Sequence, residues 1–110
     1  MRNIDSLKNT LEFKEVYGKG ISVADRLLVL YCLKNDDERS RLGISVSKKV
    51  GNSVVRHRLM RLIRESYLSL KSLLPAGYSI VVIARVQAAD KSFSDILSAM
   101  QHLLRKQGIL

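Results

Sequence analysis

The chain is poor in the residues that build covalent or metal scaffolds: one cysteine, no tryptophan, one proline and six glycines in 110 residues. A single cysteine excludes a disulfide framework and any zinc site built on cysteines. So little proline and glycine leaves no flexible linker, and the length suits a single domain over residues 1–110. The longest uninterrupted apolar run is seven residues, 27–33. That is far too short to span ~30 Å of hydrocarbon. The first residues, Met1-Arg2-Asn3-Ile4-Asp5, form no apolar signal segment, which predicts a cytoplasmic protein.

Acid is missing where base is richest. Lys and Arg total 19 against 10 Asp and Glu, a net charge of +9. Residues 39–64 hold eight cations (Arg39, Arg41, Lys48, Lys49, Arg56, Arg58, Arg61 and Arg64) and no acid. The rest of the chain is close to neutral. A positive field this concentrated attracts a polyanion, either nucleic acid or an anionic membrane. Hydrophobic residues make up 46% of the chain, enough for a core and too many for disorder.

The periodicities predict an element order of α-β-β-α-β-α. Asn9 with Glu12 three residues on is a capping pair for a short helix over 9–17, in which Phe13, Val16 and Tyr17 share a face. Gly18 and Gly20 end it. Residues 26–33 read as a strand buried on much of both faces. Asn35-Asp36-Asp37-Glu38 is a polar turn. Residues 41–47 alternate cleanly, with Leu42, Ile44 and Val46 on one side, so these two strands read as a hairpin. The dominant helix spans 53–72, with Pro75 and Gly77 beyond its end. A β-branched strand follows over 78–85, and Ser92 with Asp95 caps a last helix running to near Gly108. This is an α+β chain, an α-β sandwich with helices on one side of the sheet or at its edges.

The helix over 53–72 carries the functional signal. At about 100° per residue, Val55, Leu59, Leu62, Ile63, Leu70 and Leu73 share one side. Arg56, His57, Arg58, Arg61 and Arg64 occupy the other. All four arginines lie toward the N-terminus, the positive end of the helix dipole, where a cation is unfavourable by ~0.3–1 kcal/mol. Arg58 with Arg61, and Arg61 with Arg64, are like-charge pairs at i,i+3. A solvated polar face would mix signs and put its cations at the other end. Repeated violation of a local rule in one place marks a site. Guanidinium forks pair with phosphate bidentately and stack on bases. The free N–H groups of the helix start also favour anions. Lys48 and Lys49 arrive at the same end from the preceding strand.

The equipment of a self-sufficient nuclease is not legible. His57 and His102 lie in separate helices without a partnering motif, and Asp36-Asp37-Glu38 reads as a solvated turn rather than a metal cage. Cys32, inside an apolar strand, reads as a buried inert thiol.

The stretch Arg41-Leu42-Gly43-Ile44-Ser45-Val46-Ser47-Lys48-Lys49-Val50-Gly51-Asn52-Ser53-Val54-Val55-Arg56-His57-Arg58-Leu59-Met60-Arg61-Leu62-Ile63-Arg64-Glu65 resembles the signature of the protein subunit of bacterial ribonuclease P. Phe13-Lys14-Glu15-Val16-Tyr17, then Gly20, Ser22, Ala24 and residues 28–31, extend the similarity over most of the chain. His57 stands where that family usually has Asn, and Met60 where it usually has Lys.

The resemblance implies a subunit that binds a large catalytic RNA, in an enzyme that removes the 5′ leader from precursor tRNA. The chemistry and its magnesium ions then lie on the RNA, with no cofactor or metal on the protein and no small-molecule substrate. It implies RNA contacts at Lys48, Lys49, Asn52, Arg56, His57, Arg58, Arg61 and Arg64, and a left-handed β-α-β crossover. It also implies a cleft for the single-stranded leader, for which Phe13, Tyr17, Tyr31 and Ser47 are the candidate lining. Aromatic rings give sequence-tolerant stacking; as residues alone, the same three rings also fit an ordinary core. The rivals are a structural RNA-binding protein or RNA chaperone of similar fold, a helix-turn-helix DNA binder and a membrane-surface binder. The period-two segment before the arginine helix argues against the second, and an apolar face spent on the core argues against the third.

Overall fold

Asn9 caps the first helix as a reciprocal box: its side chain accepts from the Glu12 N–H, and the Glu12 carboxylate accepts from the Asn9 N–H. In the computed structural model, which describes residues 5–110, this helix is α1 (Thr10–Lys19). Residues 1–4, most of the segment read above for a signal, lie outside the described residues. The other elements are β1 (Asp5–Ser6), β2 (Ile21–Ala24), β3 (Leu28–Lys34), β4 (Arg41–Ser45), α2 (Ser53–Leu70), β5 (Tyr78–Ala84) and α3 (Phe93–Lys106).

Two strands escape the sequence pattern. β1 is two residues long and has no periodicity to show. β2 and β3 form a hairpin because Asp25 turns the chain, its carboxylate accepting from the N–H groups of Leu27 at 2.8 Å and Leu28 at 2.9 Å.

Among the described residues the five strands run β1-β4-β5-β3-β2. The predicted hairpin between the strands at 26–33 and 41–47 does not form. β5 lies between them, antiparallel to β3 and parallel to β4. The reason is apolar content: Ile80, Val81 and Val82 are all buried, so β5 needs cover on both faces and takes the sheet centre. The chain crosses from β4 to β5 through α2, the β-α-β unit that the pattern implied.

Strand alternation then sorts the sheet into two faces. Leu28, Leu30, Cys32, Leu42, Ile80, Val82 and Ala84 pack against α2 and α3. Val81, with Tyr31, Leu33 and Ile83, packs against Val16 and Phe13 of α1. The helices therefore do not share one side of the sheet; α1 covers the opposite face. α2 also stops two residues before the predicted end and tightens into a 3-10 turn over Lys71–Leu73. That swings Leu73 off the apolar stripe and leaves it 65% exposed. Ser66 and Tyr67 complete the buried stripe instead.

Candidate nucleic-acid interface

The basic face begins where β4 ends. The strand stops at Ser45, and the chain turns over residues 47–50, closed by the Val50 N–H donating to the Ser47 carbonyl at 3.1 Å. Lys48 and Lys49 project from this turn, exposed. Asn52 then starts α2 as its N-cap, its side chain accepting from the Val55 N–H at 3.0 Å. The first turn of α2 holds no acid, so nothing offsets the helix dipole and the cations together.

The cations differ in their surroundings. His57 and Arg61 are exposed, and Arg56 and Arg64 are half-buried. Arg56 Nε is buried without a hydrogen-bond partner. Arg58 turns back into the protein: Nη2 donates to the Lys91 carbonyl at 2.6 Å and Nη1 to that of Ala89 at 3.4 Å. It ties α2 to the loop before α3. The salt bridges among the described residues include Lys19–Glu15, Arg39–Asp5, Arg41–Asp37 and Lys91–Asp90. None of them uses Lys48, Lys49, Arg56, Arg58, Arg61 or Arg64. Arg41 bonds the Asp37 carboxylate and holds it below its ordinary pKa, helped by the Arg39 N–H.

The predicted aromatic residues meet on the α1 face of the sheet. Phe13 and Tyr17 have ring centroids 6.2 Å apart. Tyr17 meets Tyr31 edge-on at 5.0 Å, interplanar 72°. Burial pushes the Tyr17 hydroxyl pKa up, partly offset by a hydrogen bond with Ser45. Phe13 and Tyr17 line a groove of about 370 Å³ between α1 and β4, with Lys8, Asn9, Thr10, Ile44 and Ser45. Tyr31 braces Tyr17 and is not part of that lining. Nor is Ser47, because β4 ends two residues earlier; Ser45, on the same strand parity, takes the place. Strand alternation already marked Ser45 as outward-facing. Lys8 and Thr10 carried no such signal.

Gly43 sets how closely Phe13 approaches the sheet. A Cβ there would lie 2.8 Å from two Phe13 ring atoms and 2.9 Å from Leu7 Cδ1. Phe13 therefore rests on bare strand backbone. Among the described residues no group of three His, Cys, Asp or Glu could hold a metal ion, and no helix is long and apolar enough to cross a membrane.

The family model described as Ribonuclease P matches residues 1–108. The chain is 51% identical over 106 residues to the ribonuclease P protein component of Lachnoclostridium phytofermentans, covering 96% of this chain and 91% of that one. The structure of the Staphylococcus aureus RNase P protein superposes with a TM-score of 0.89 at 39% identity, over 97% of this chain and 98% of that one. That of Thermotoga maritima gives 0.83 at 29% identity, over 93% and 96%. The chain belongs to the ribonuclease P protein family, the protein subunit of a tRNA-processing endoribonuclease.

Proposed function

We propose that this chain acts as one RNA-binding domain with two sites. The turn at 47–50 and the outer face of α2 dock on the catalytic RNA through Lys48, Lys49, Asn52, Arg56, His57, Arg61 and Arg64. Arg58 adds charge and holds the adjoining loop. The groove beside Phe13 and Tyr17, backed by Tyr31 and reached past Ser47, holds the single-stranded 5′ leader of precursor tRNA. The RNA performs the cleavage with its own magnesium ions. The cytoplasm is the compartment for this work, and a lone buried Cys32 suits reducing surroundings.

The observation that carries the reading is the set of six cations on and before α2 that have no carboxylate partner among the described residues. In water they repel one another; phosphate neutralises them and releases counterions. Asn52 fits both roles, because its carboxamide oxygen caps the helix while its NH₂ group offers two donors. The groove supplies apolar rings for bases and hydroxyls for the backbone.

Reconstitution tests this directly. The chain is mixed with a candidate catalytic RNA and precursor tRNA at physiological magnesium. Cleavage at the mature 5′ end is the expected result. RNA binding without any effect on processing points instead to a structural RNA-binding protein or chaperone.

A further inference from the structure

β1 pairs with β4 only at Arg41 and Leu42. Beyond that point the β4 edge is uncovered. Next to it lies a second, smaller cavity of about 160 Å³, whose lining includes Leu7, Phe13, Gly43, Ile44, Met60 and Arg64. Phe13 and Ile44 line this cavity and the larger groove alike, so the two adjoin at these side chains. The far wall belongs to α2. Met60 is half-buried there, one turn after Arg56 and one turn before Arg64 on the same row of α2.

The lining side chains are apolar apart from Ser6 and Arg64, and among the described residues the Arg64 guanidinium has no ion-pair partner. Carbon surfaces, a polarisable thioether and one positive charge are the complement of an unpaired nucleobase and its phosphate. Thioether sulfur attracts aromatic rings by ~0.3–1.5 kcal/mol.

We propose that this cavity seats a single nucleobase of the leader in contact with Phe13 and Met60, with Arg64, at the edge of the docking face, shared between the catalytic RNA and the adjoining leader phosphate. Met60 thereby sets which leader position is read. This rests on the leader reading above and adds a second seat in the adjoining cavity. A docked catalytic RNA that covers Met60 by itself is the competing occupant.

The test uses the reconstituted holoenzyme and precursor tRNAs carrying one abasic leader nucleotide at a time. With the unaltered chain, removing the seated base weakens binding at one leader position in addition to those held in the larger groove. With Met60→Ala, affinity for intact precursor falls about two- to tenfold, and the abasic penalty at that same position shrinks by the same factor. Met60→Leu retains most of it, and Met60→Gln, which keeps the length and removes the sulfur, behaves as Ala does. Mature tRNA binding is unchanged in all three.

Two results overturn the seat. If Met60→Ala weakens mature and precursor tRNA equally, Met60 acts through the docked RNA. If Phe13→Ala abolishes leader discrimination while every Met60 variant keeps the full abasic profile, the seat is wrong and the leader groove stands. Loss of leader discrimination in neither Phe13→Ala nor Met60→Ala removes the groove itself.

Discussion

Replacing Gly43 with alanine places one methyl group under Phe13, the ring proposed above to hold the leader. The added Cβ lies 2.8 Å from Phe13 Cε1 and Cζ. Carbon atoms prefer about 3.5–4.0 Å, so the contact must open by roughly 1 Å. β4 cannot yield, because Arg41–Ser45 is paired along its length with the central strand β5. Phe13 can, since it is half-buried beside an open groove. Overpacking costs ~1–3 kcal/mol, and the lower end applies to a ring free to tilt outward. The cost to binding is larger. A displaced ring loses base stacking of ~1–3 kcal/mol, so affinity for leader-bearing precursor falls about 5- to 150-fold while mature tRNA binds as before. The assay is the ratio of Kd values for precursor and mature tRNA in the holoenzyme, with thermal unfolding as the control. Gly43→Ala combined with Phe13→Ala loses no more discrimination than Phe13→Ala alone. A folded Gly43→Ala chain that keeps the unaltered ratio refutes the reasoning.

Arg61→Ala removes an exposed cation and lowers the slope of log K against log salt by ~0.7–0.9; an unchanged slope takes the face out of RNA docking. Arg58→Ala has a further consequence, faster amide exchange over residues 86–91, because the bonds to Ala89 and Lys91 are gone; unaltered exchange there shows that they do not hold the loop. Burial pushes the Cys32 thiol up to about 12, so iodoacetamide at pH 8 labels the chain only once urea unfolds it, and rapid labelling of folded protein contradicts the buried placement. Asp37 and Asp5 are held below the ordinary carboxylate value of 3.8 by Arg41 and Arg39. Their contribution is present above that value and disappears as pH falls through the lowered folded values. The urea midpoint of Asp37→Asn therefore lies below that of the unaltered chain at pH 7, and the two converge in acid. A gap independent of pH removes the pair from the stability account.

The local signals in this chain were strong enough to read unaided. Both capping boxes, at Asn9 and Ser92, form as the residues demand, since a cap depends only on atoms three residues apart. The arginine band on α2 was legible for the same reason: helical spacing alone assigns the faces, and the absence of acid is a matter of counting. Gathering Phe13, Tyr17 and Tyr31 into one cluster needed the fold, because α1 and β3 meet only when the sheet has formed. So did the strand order, which depends on the non-local competition that places β5 at the centre. Sequence spacing offered Arg58 as one more phosphate contact, but its position beside the loop at 86–91 turns the guanidinium inward. Ser45 displaced Ser47 from the groove because β4 ended where its pairing with β5 ended. Charge and helical phase are properties of neighbouring residues and survive in the bare sequence. Pairing, depth and access are set by chain segments far apart in number, and only tertiary packing decides them.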